Sequence, residues 1–520
     1  MIHRSPLPDV ELPAEHLTDY VLALAGELGD KPALIDGPSG RTLTYGALLT
    51  GVRALAGGLV ARGFEPGQTV ALLAPNLPEY AIVFHGVALA GGVVTTINPT
   101  YTEREIHHQL VDADARLLVT VAPFLDVATA AAAGTAVEEI FVIGQADGAR
   151  SLTDLLGDPL AGQVPVDLDS TVVLPYSSGT TGVNKGVMLT HRNLVCNVEQ
   201  TLAIAEIRED ETLVAVLPFF HIYAMQVLMN TALRIGATVV TMPRFELEQF
   251  LSIHQEYGVT RSFVAPPIVL AMARHPLVDN YDLSKLEQVF SAAAPLSADL
   301  ALETGRRLGC DVVQGYGMTE LSPVSHVTPP GQFKPGSVGV TLPNTETRVV
   351  DPATGDDLDL GVDGEVWVRG PQVMKGYLNN EQATAATITD DGWLRTGDIG
   401  HIDEDGHLFI VDRLKELIKY KGFQVPPAEL EAVLLTHPAV ADAAVVGLPD
   451  EEAGEIPVAY VVLQQGADAT AEQVMDFVAG EVAHYKQVRR LEFIEAIPKS
   501  ASGKLLRREL KRQALGDPGH

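Results

Sequence analysis

Basic residues are scarce in this chain. Its 520 residues carry 36 lysines and arginines against 67 aspartates and glutamates, a formal net charge of −31. A surface so dominated by carboxylates opposes nucleic acid and anionic membranes, both of which are held by basic patches. Anionic small molecules remain admissible, because a few cations can be focused in one cleft. Cysteine is scarcer still: Cys196 and Cys310 stand far apart, with no C-x-x-C pair and no histidine at metal-ligand spacing. That pattern excludes a disulfide framework and points to buried thiols in a reducing, cytoplasmic setting.

A long apolar run is missing too. Residues 81–98 come nearest, but His85, Gly86 and the Gly91-Gly92 pair interrupt them, so they read as a core helix feeding a strand and not as a membrane span. The N-terminal sequence MIHRSPLPDVELPAEH has prolines and acids where a signal peptide needs its apolar core. No repeat, low-complexity tract or C-terminal targeting signal is visible. What is present is 46% hydrophobic and 20% charged, ordinary for a globular protein. At this length two or more domains are expected.

Short β-branched runs at 70–73, 117–121, 140–143, 238–241 and 262–265 alternate with helical patterns such as 190–203, where Thr190 is a plausible N-cap. The alternation predicts an α/β architecture with largely parallel sheets. From 337 to 410 the texture changes to short strands (347–350, 365–369, 408–411) between Gly/Asp/Pro turns, which predicts a small barrel-like β subdomain. After Asp412 it changes again. Pro426-Pro427 opens a helix with Leu430, Val433 and Leu434 on one face; strands at 443–447, 458–463 and 490–493 and a helix at 471–483 follow. This reads as a lid-sized α+β domain.

Four clusters carry chemistry. The first, Tyr176-Ser177-Ser178-Gly179-Thr180-Thr181-Gly182-Val183-Asn184-Lys185-Gly186, follows the apolar run 171–175 and offers hydroxyls, backbone N–H groups and one cation. That combination suits a polyphosphate. It is not a Walker A loop, because Gly186 stands where that motif needs a Mg²⁺-binding Ser or Thr; a solvated Ser/Thr/Gly turn is its rival reading. The others are Gln314-Gly315-Tyr316-Gly317-Met318-Thr319-Glu320, then Gly392-Trp393-Leu394-Arg395-Thr396-Gly397-Asp398 continuing to 412–422, and Pro498-Lys499-Ser500-Ala501-Ser502-Gly503-Lys504.

In this order and spacing the four clusters resemble the core motifs of adenylate-forming enzymes, over at least residues 171–510. Phe220-His221-Ile222-Tyr223, the run 364–370 and Lys421-Gly422-Phe423-Gln424-Val425 bring the chain nearest to the 4-coumarate:CoA-ligase-like branch. Asn184 departs from the proline common at that point of the loop, which predicts a softer loop. The resemblance implies an α/β fold: a large N-terminal domain (1–414) of two doubly wound α/β subdomains plus a small β-barrel subdomain, and a small mobile α+β C-terminal domain (415–520). It also implies ATP, Mg²⁺ and coenzyme A as cofactor and co-substrates.

The same resemblance implies roles. Ser177, Ser178, Gly179, Thr180, Thr181 and Lys185 hold the β- and γ-phosphates; Thr319 and Glu320 serve phosphate and Mg²⁺; Ala293, Gln314, Gly315 and Tyr316 meet the adenosine. Asp398 takes the ribose hydroxyls with Arg413, and Lys415 and Lys419 belong to the same AMP-side set, Lys415 also marking the hinge. Lys504 bridges the carboxylate and the α-phosphate, with His221 and Glu320 as the other catalytic residues; Arg244, Lys421 and Gly422 are the CoA-side residues. His221, Tyr223, Phe290, Ala293, Ala294, Gly315 and Pro323 form an apolar, aromatic acyl slot. An amino-acid substrate is disfavoured, because no carboxylate stands near His221 to pair an α-ammonium and an unpaired buried ammonium is costly. No carrier domain follows Lys504, so free CoA is the expected acceptor. Alternatives are a medium- or long-chain fatty-acyl-CoA ligase, a luciferase-like monooxygenase and a non-catalytic acyl-CoA-binding protein.

Overall fold

The computed structural model describes residues 1–177, 184–421, 423–450, 452–500 and 503–515. They divide into two compact units, one of Ile2–Thr347 with Val368–Leu394, the other of Met1, Arg348–Trp367 and Arg395–His520.

The first unit is built on two mostly parallel sheets. In the eight-stranded sheet, Thr171–Ser177, Val93–Thr96, Thr69–Leu73, Ala115–Val121, Glu139–Ile143 and Arg150–Ser151 run parallel, and Lys185–Thr190 and Gly376–Tyr377 add an antiparallel edge. In the nine-stranded sheet, Asp311–Gly317, Gln288–Ser291, Arg261–Val264, Thr212–Ala215, Thr238–Thr241 and Pro32–Asp36 are parallel neighbours in that order. Their central residues are buried on both faces, as parallel strands covered by helices must be. Residues 81–98 resolve into the buried helix Pro78–Leu89 and the strand Val93–Thr96, as their interruptions predict. Thr190 caps the helix His191–Ala205 in a reciprocal capping box with Asn193.

In the second unit, Leu394–Ile402 and Leu408–Arg413 pair antiparallel. Farther on, Val440–Asp450 and Gly454–Leu463 form a long antiparallel pair, with Arg490–Phe493 parallel to the latter and the hairpin Ile418–Tyr420/Phe423–Val425 beyond it. The helices Pro427–Thr436 and Ala471–Glu481 supply Leu430, Leu434, Val474 and Val478 to a core of their own. The α/β class and the α+β C-terminal text stand as expected. Among the described residues no helix is long and apolar enough to cross a membrane. Cys196 is buried and Cys310 only partly so, which corrects the expectation of two buried thiols; both are free.

Candidate active site

The strand Thr171–Ser177 ends at the phosphate-loop motif, and the chain returns antiparallel with Lys185 opposite Ser177. Ser178, Gly179, Thr180 and Thr181 lie outside the described residues. Asn184, at the departure from proline, is tied by its Nδ2 to the Tyr101 hydroxyl at 2.8 Å. After the strand Asp311–Gly317 a single 3₁₀ turn, Thr319–Leu321, carries Glu320 to Ser177 at the end of the strand Thr171–Ser177. This turn needs its glycine: a Cβ on Gly317 would lie 2.0 Å from the Pro323 carbonyl oxygen, to which the Met318 N–H donates at 2.9 Å. Glu320 is 5% exposed, and its Oε1 accepts from the Ser177 hydroxyl at 3.1 Å and from the Tyr377 hydroxyl at 2.9 Å. Lys185 Nζ stands 4.7 Å from the centre of the Tyr377 ring. A hydroxyl, a cation and a buried carboxylate, separated by up to 143 residues in sequence, therefore meet at one end of the sheet.

This set fits Mg²⁺. Among the described residues no group of three or more His, Cys, Asp or Glu side chains could hold a metal ion by itself. Mg²⁺ takes one or two carboxylates and completes its shell with water and phosphate oxygens. Glu320 supplies such a carboxylate, with both hydroxyl donors gathered on Oε1.

Of the residues expected on the acyl side, Phe290 and Gly315 lie on neighbouring strands of the nine-stranded sheet. Gln314 is buried; its Oε1 accepts from the Leu296 N–H at 3.1 Å, so the side chain fastens the segment carrying Ala293 and Ala294 to the strand carrying Gly315. Ala293 is exposed and left-handed, φ +73°. A non-glycine residue held there costs about 1–3 kcal/mol. Replacing Ala293 by glycine is expected to raise stability by about 0.5–1 kcal/mol, read as a higher urea midpoint; a fall would show that the methyl makes a compensating contact. The Phe290 ring fills the space that a Gly315 side chain would need, since a Cβ there would lie 2.5 Å from its Cζ. Phe263 packs 5.2 Å from Phe290 and 6.5 Å from Tyr223, both between ring centres, and the buried Tyr223 hydroxyl donates to the Phe290 carbonyl at 3.4 Å. Burial pushes the Tyr223 phenol well above its ordinary range. The Tyr223 N–H donates to His221 Nδ1 at 3.3 Å, which places the proton of the neutral imidazole on Nε2. Pro323 is buried and Tyr316 and Thr319 are half-buried, whereas Arg244 is exposed just past the strand Thr238–Thr241.

In the second unit Asp398 and Arg413 lie opposite each other in the antiparallel pair, with Arg413 Nε 3.3 Å from Asp398 Oδ1. Glu365 holds the Gly397 N–H at 3.1 Å and the Trp367 indole N–H at 2.8 Å, and so fixes the stretch of strand that carries Asp398. Lys415 and Lys419 are exposed. Lys421 is left-handed, φ +48°, and pairs with Glu452 at 2.9 Å; Gly422 lies outside the described residues. The Lys504 backbone is closed on Ser500: Lys504 O accepts from the Ser500 N–H at 2.8 Å and the Lys504 N–H donates to Ser500 Oγ at 3.1 Å. Three residues later the largely covered Arg507 pairs with the buried Glu431, Nη2 to Oε2 at 2.6 Å and Nε to Oε1 at 3.2 Å. Asp412, also buried, accepts from the N–H groups of Arg413 and Ala428 at 2.6 and 2.9 Å. Burial raises the carboxyls of Asp412 and Glu431, the latter to about 7, with Arg507 opposing the shift in each.

Sequence reasoning missed Tyr377, Phe263, Glu365 and the Arg507–Glu431 pair. It also missed that residues Ala224–Asn230, directly after His221–Tyr223, form a wholly buried π-helix, a rare element that often marks functional sites.

Known proteins bear on this geometry. Residues 23–378 match the family model described as AMP-binding enzyme, and 429–504 the one described as AMP-binding enzyme C-terminal domain. A 4-coumarate--CoA ligase 1 of Petroselinum crispum is 43% identical over 536 aligned residues, covering 99% of this chain and 98% of its own. The crystal structure of the anthranilate CoA ligase AuaEII in complex with anthranoyl-AMP superposes with a TM-score of 0.91 at 27% identity, over 97% of this chain and 98% of that one. ATP-bound MatB from Rhodopseudomonas palustris superposes with a TM-score of 0.87 at 30% identity, over 96% of this chain and 99% of its own. With both halves matched and the likeness running the full length, the chain belongs to the AMP-binding enzyme family.

Proposed function

We propose that this chain is an ATP- and Mg²⁺-dependent acid:CoA ligase for cinnamate- or 4-coumarate-type acids. The observation that carries the reading is the meeting of Ser177, Lys185 and buried Glu320 beside the phosphate-loop motif, in a chain so similar to a 4-coumarate--CoA ligase throughout. A carboxylate is a poor electrophile. Its oxygen attacks the α-phosphorus of ATP, the bond to pyrophosphate breaks, and acyl-AMP results. The CoA thiol then attacks the acyl carbon and AMP leaves. Two anions must meet in the first step, so fixed positive charge is required. Lys185 supplies it toward the β- and γ-phosphates and Lys504 toward the α-phosphate; Glu320 holds Mg²⁺, which when bound neutralises phosphate charge. His221, protonated on Nε2, donates to the carboxylate. Asp398 and Arg413 take the ribose. Residues 415–520 act as a lid that pivots at Lys415 and presents Lys504 for the first step and Lys421-Gly422 for the second. The reaction is assigned to the cytoplasm.

The slot discriminates weakly at the ring's para position. Phe290 has no polar atom, and the Tyr223 hydroxyl already donates to a backbone carbonyl. One net hydrogen bond is worth about 0.5–1.5 kcal/mol, so cinnamate should be used within about tenfold of 4-coumarate. Pyrophosphate release measured over aryl, fatty and amino acids, with and without CoA, tests both points. Turnover confined to fatty or amino acids would overturn the aryl reading, and a preference of about 10³-fold or more for 4-coumarate would demand a polar partner other than Tyr223.

A further inference from the structure

Tyr377 occupies a position that the reaction scheme leaves without a role. It lies in the two-residue strand Gly376–Tyr377 at the edge of the eight-stranded sheet, with Tyr377 opposite Val187 on the strand that begins at Lys185. The surrounding backbone is stitched at several points: the Leu378 N–H donates to the Gly186 carbonyl at 2.8 Å, Lys375 N–H to Met188 at 3.0 Å, and Met374 N–H to the Glu320 carbonyl at 2.9 Å. The Thr384 hydroxyl accepts from the Tyr377 N–H at 2.9 Å. The side chain is therefore 7% exposed and held in place. From there it touches both charges of the site, its hydroxyl 2.9 Å from Glu320 Oε1 and its ring face 4.7 Å from Lys185 Nζ. A carboxylate oxygen accepts, so the Tyr377 hydroxyl is the donor of this pair.

We propose that Tyr377 is a positioning residue of the nucleotide site, its hydroxyl orienting the Glu320 carboxylate toward Mg²⁺ and its ring holding the Lys185 ammonium before ATP arrives. Two donors on Oε1, from Ser177 and Tyr377, fix the rotation of the carboxylate that would hold the metal. The π-face attracts Lys185 without neutralising it, as a carboxylate partner would, so the ammonium remains available to phosphate. The inference rests on the assignment of Glu320 and Lys185 to Mg²⁺ and ATP.

Tyr377→Phe removes the hydroxyl and keeps the ring; Tyr377→Leu removes both. Calorimetric titration of ATP into each variant at stepped Mg²⁺ concentrations reads binding without reference to any acid. Charge-assisted hydrogen bonds set the scale: Tyr377→Phe is expected to raise the Mg²⁺ concentration needed for half-maximal ATP affinity by about tenfold, with ATP affinity in EDTA unchanged. Tyr377→Leu is expected also to weaken ATP in EDTA by about threefold to tenfold, the part owed to Lys185. The KM for 4-coumarate should stay within about twofold in Tyr377→Phe. The same Mg²⁺ dependence in Tyr377→Phe and wild type would overturn the proposal, as would equal losses with and without Mg²⁺, which a merely structural tyrosine produces. A protein that binds Mg²⁺-ATP in this Tyr377-dependent way but activates no aryl acid would uphold it and refute the substrate reading.

Discussion

Replacing Lys504 by alanine is expected to slow acyl-AMP formation by about 10²–10³-fold or more, the scale for losing a donor that stabilises charge developing in a transition state. Negative charge accumulates on the α-phosphate as the carboxylate oxygen closes on it, and the lysine's contribution is concentrated at that moment. The thioester step has a different requirement: the thiol attacks an acyl group already activated, and under the proposed scheme the segment at 421–422 serves it instead. The Lys504→Ala protein, given synthetic cinnamoyl-AMP and CoA, should therefore form thioester at close to the wild-type rate. Lys415→Pro is expected to do the reverse, keeping adenylation and losing thioester formation, because the fixed φ of proline stiffens the pivot. Stopped-flow measurement of each half-reaction separates the cases. Equal losses in both steps for Lys504→Ala would reject alternating presentation by one hinged domain.

The second large effect belongs to Arg507. Removing one partner of a largely buried ion pair leaves the other without its counter-charge, a loss of about 3–5 kcal/mol at a pH where that group is ionised. Arg507→Met should lower the stability of the C-terminal region by that order, seen as earlier amide exchange in the strands Val440–Asp450 and Gly454–Leu463. The pH dependence has a definite sign. Burial raises Glu431 from 4.5 in the unfolded chain to about 7 in the folded one. The folded state thus binds a proton that the unfolded state has released, and the associated stability is present below pH 4.5 and lost as pH rises through 7. Without Arg507 the carboxyl moves higher still, so the deficit of Arg507→Met should be smallest near pH 5 and grow toward pH 8. Pairing it with Glu431→Leu, which removes the stranded carboxylate, should recover much of the loss. A deficit independent of pH would show that the arginine acts through packing alone.

Legibility of the chain followed where the physical signal is local. The strands Thr238–Thr241 and Arg490–Phe493 stand at their expected bounds, the first a β-branched run and the second an alternation of charged and apolar residues, both of which favour a strand. Thr190 was legible as a cap, since a hydroxyl before a helical pattern satisfies the first free N–H groups. The π-helix was not: every residue of Ala224–Asn230 is buried, so no polar stripe reveals its period. Its geometry depends on contacts such as Thr231 Oγ1 to the Gln226 carbonyl at 2.9 Å. Tyr377 escaped for another reason, as a two-residue strand has no periodicity and its partner Glu320 is 57 residues away. The hairpin Ile418–Tyr420/Phe423–Val425 was hidden inside a motif read for its lysines. Ser177, Lys185 and Glu320 were found by motif order alone, and their proximity is something only the folded chain supplies.

Gly315 and Phe290 together write a rule for sequence variation. The ring at 290 occupies the volume into which a side chain at 315 would project, and the His326 carbonyl, 3.2 Å from that same point, closes the way around it. The two positions can therefore drift only as a couple. A descendant that acquires alanine at 315 must first shed the ring at 290, and one that keeps the ring is bound to glycine. Twenty-five positions apart on neighbouring strands, they share one allotment of space, so diversification of the acyl slot proceeds through paired exchanges there and not through independent ones.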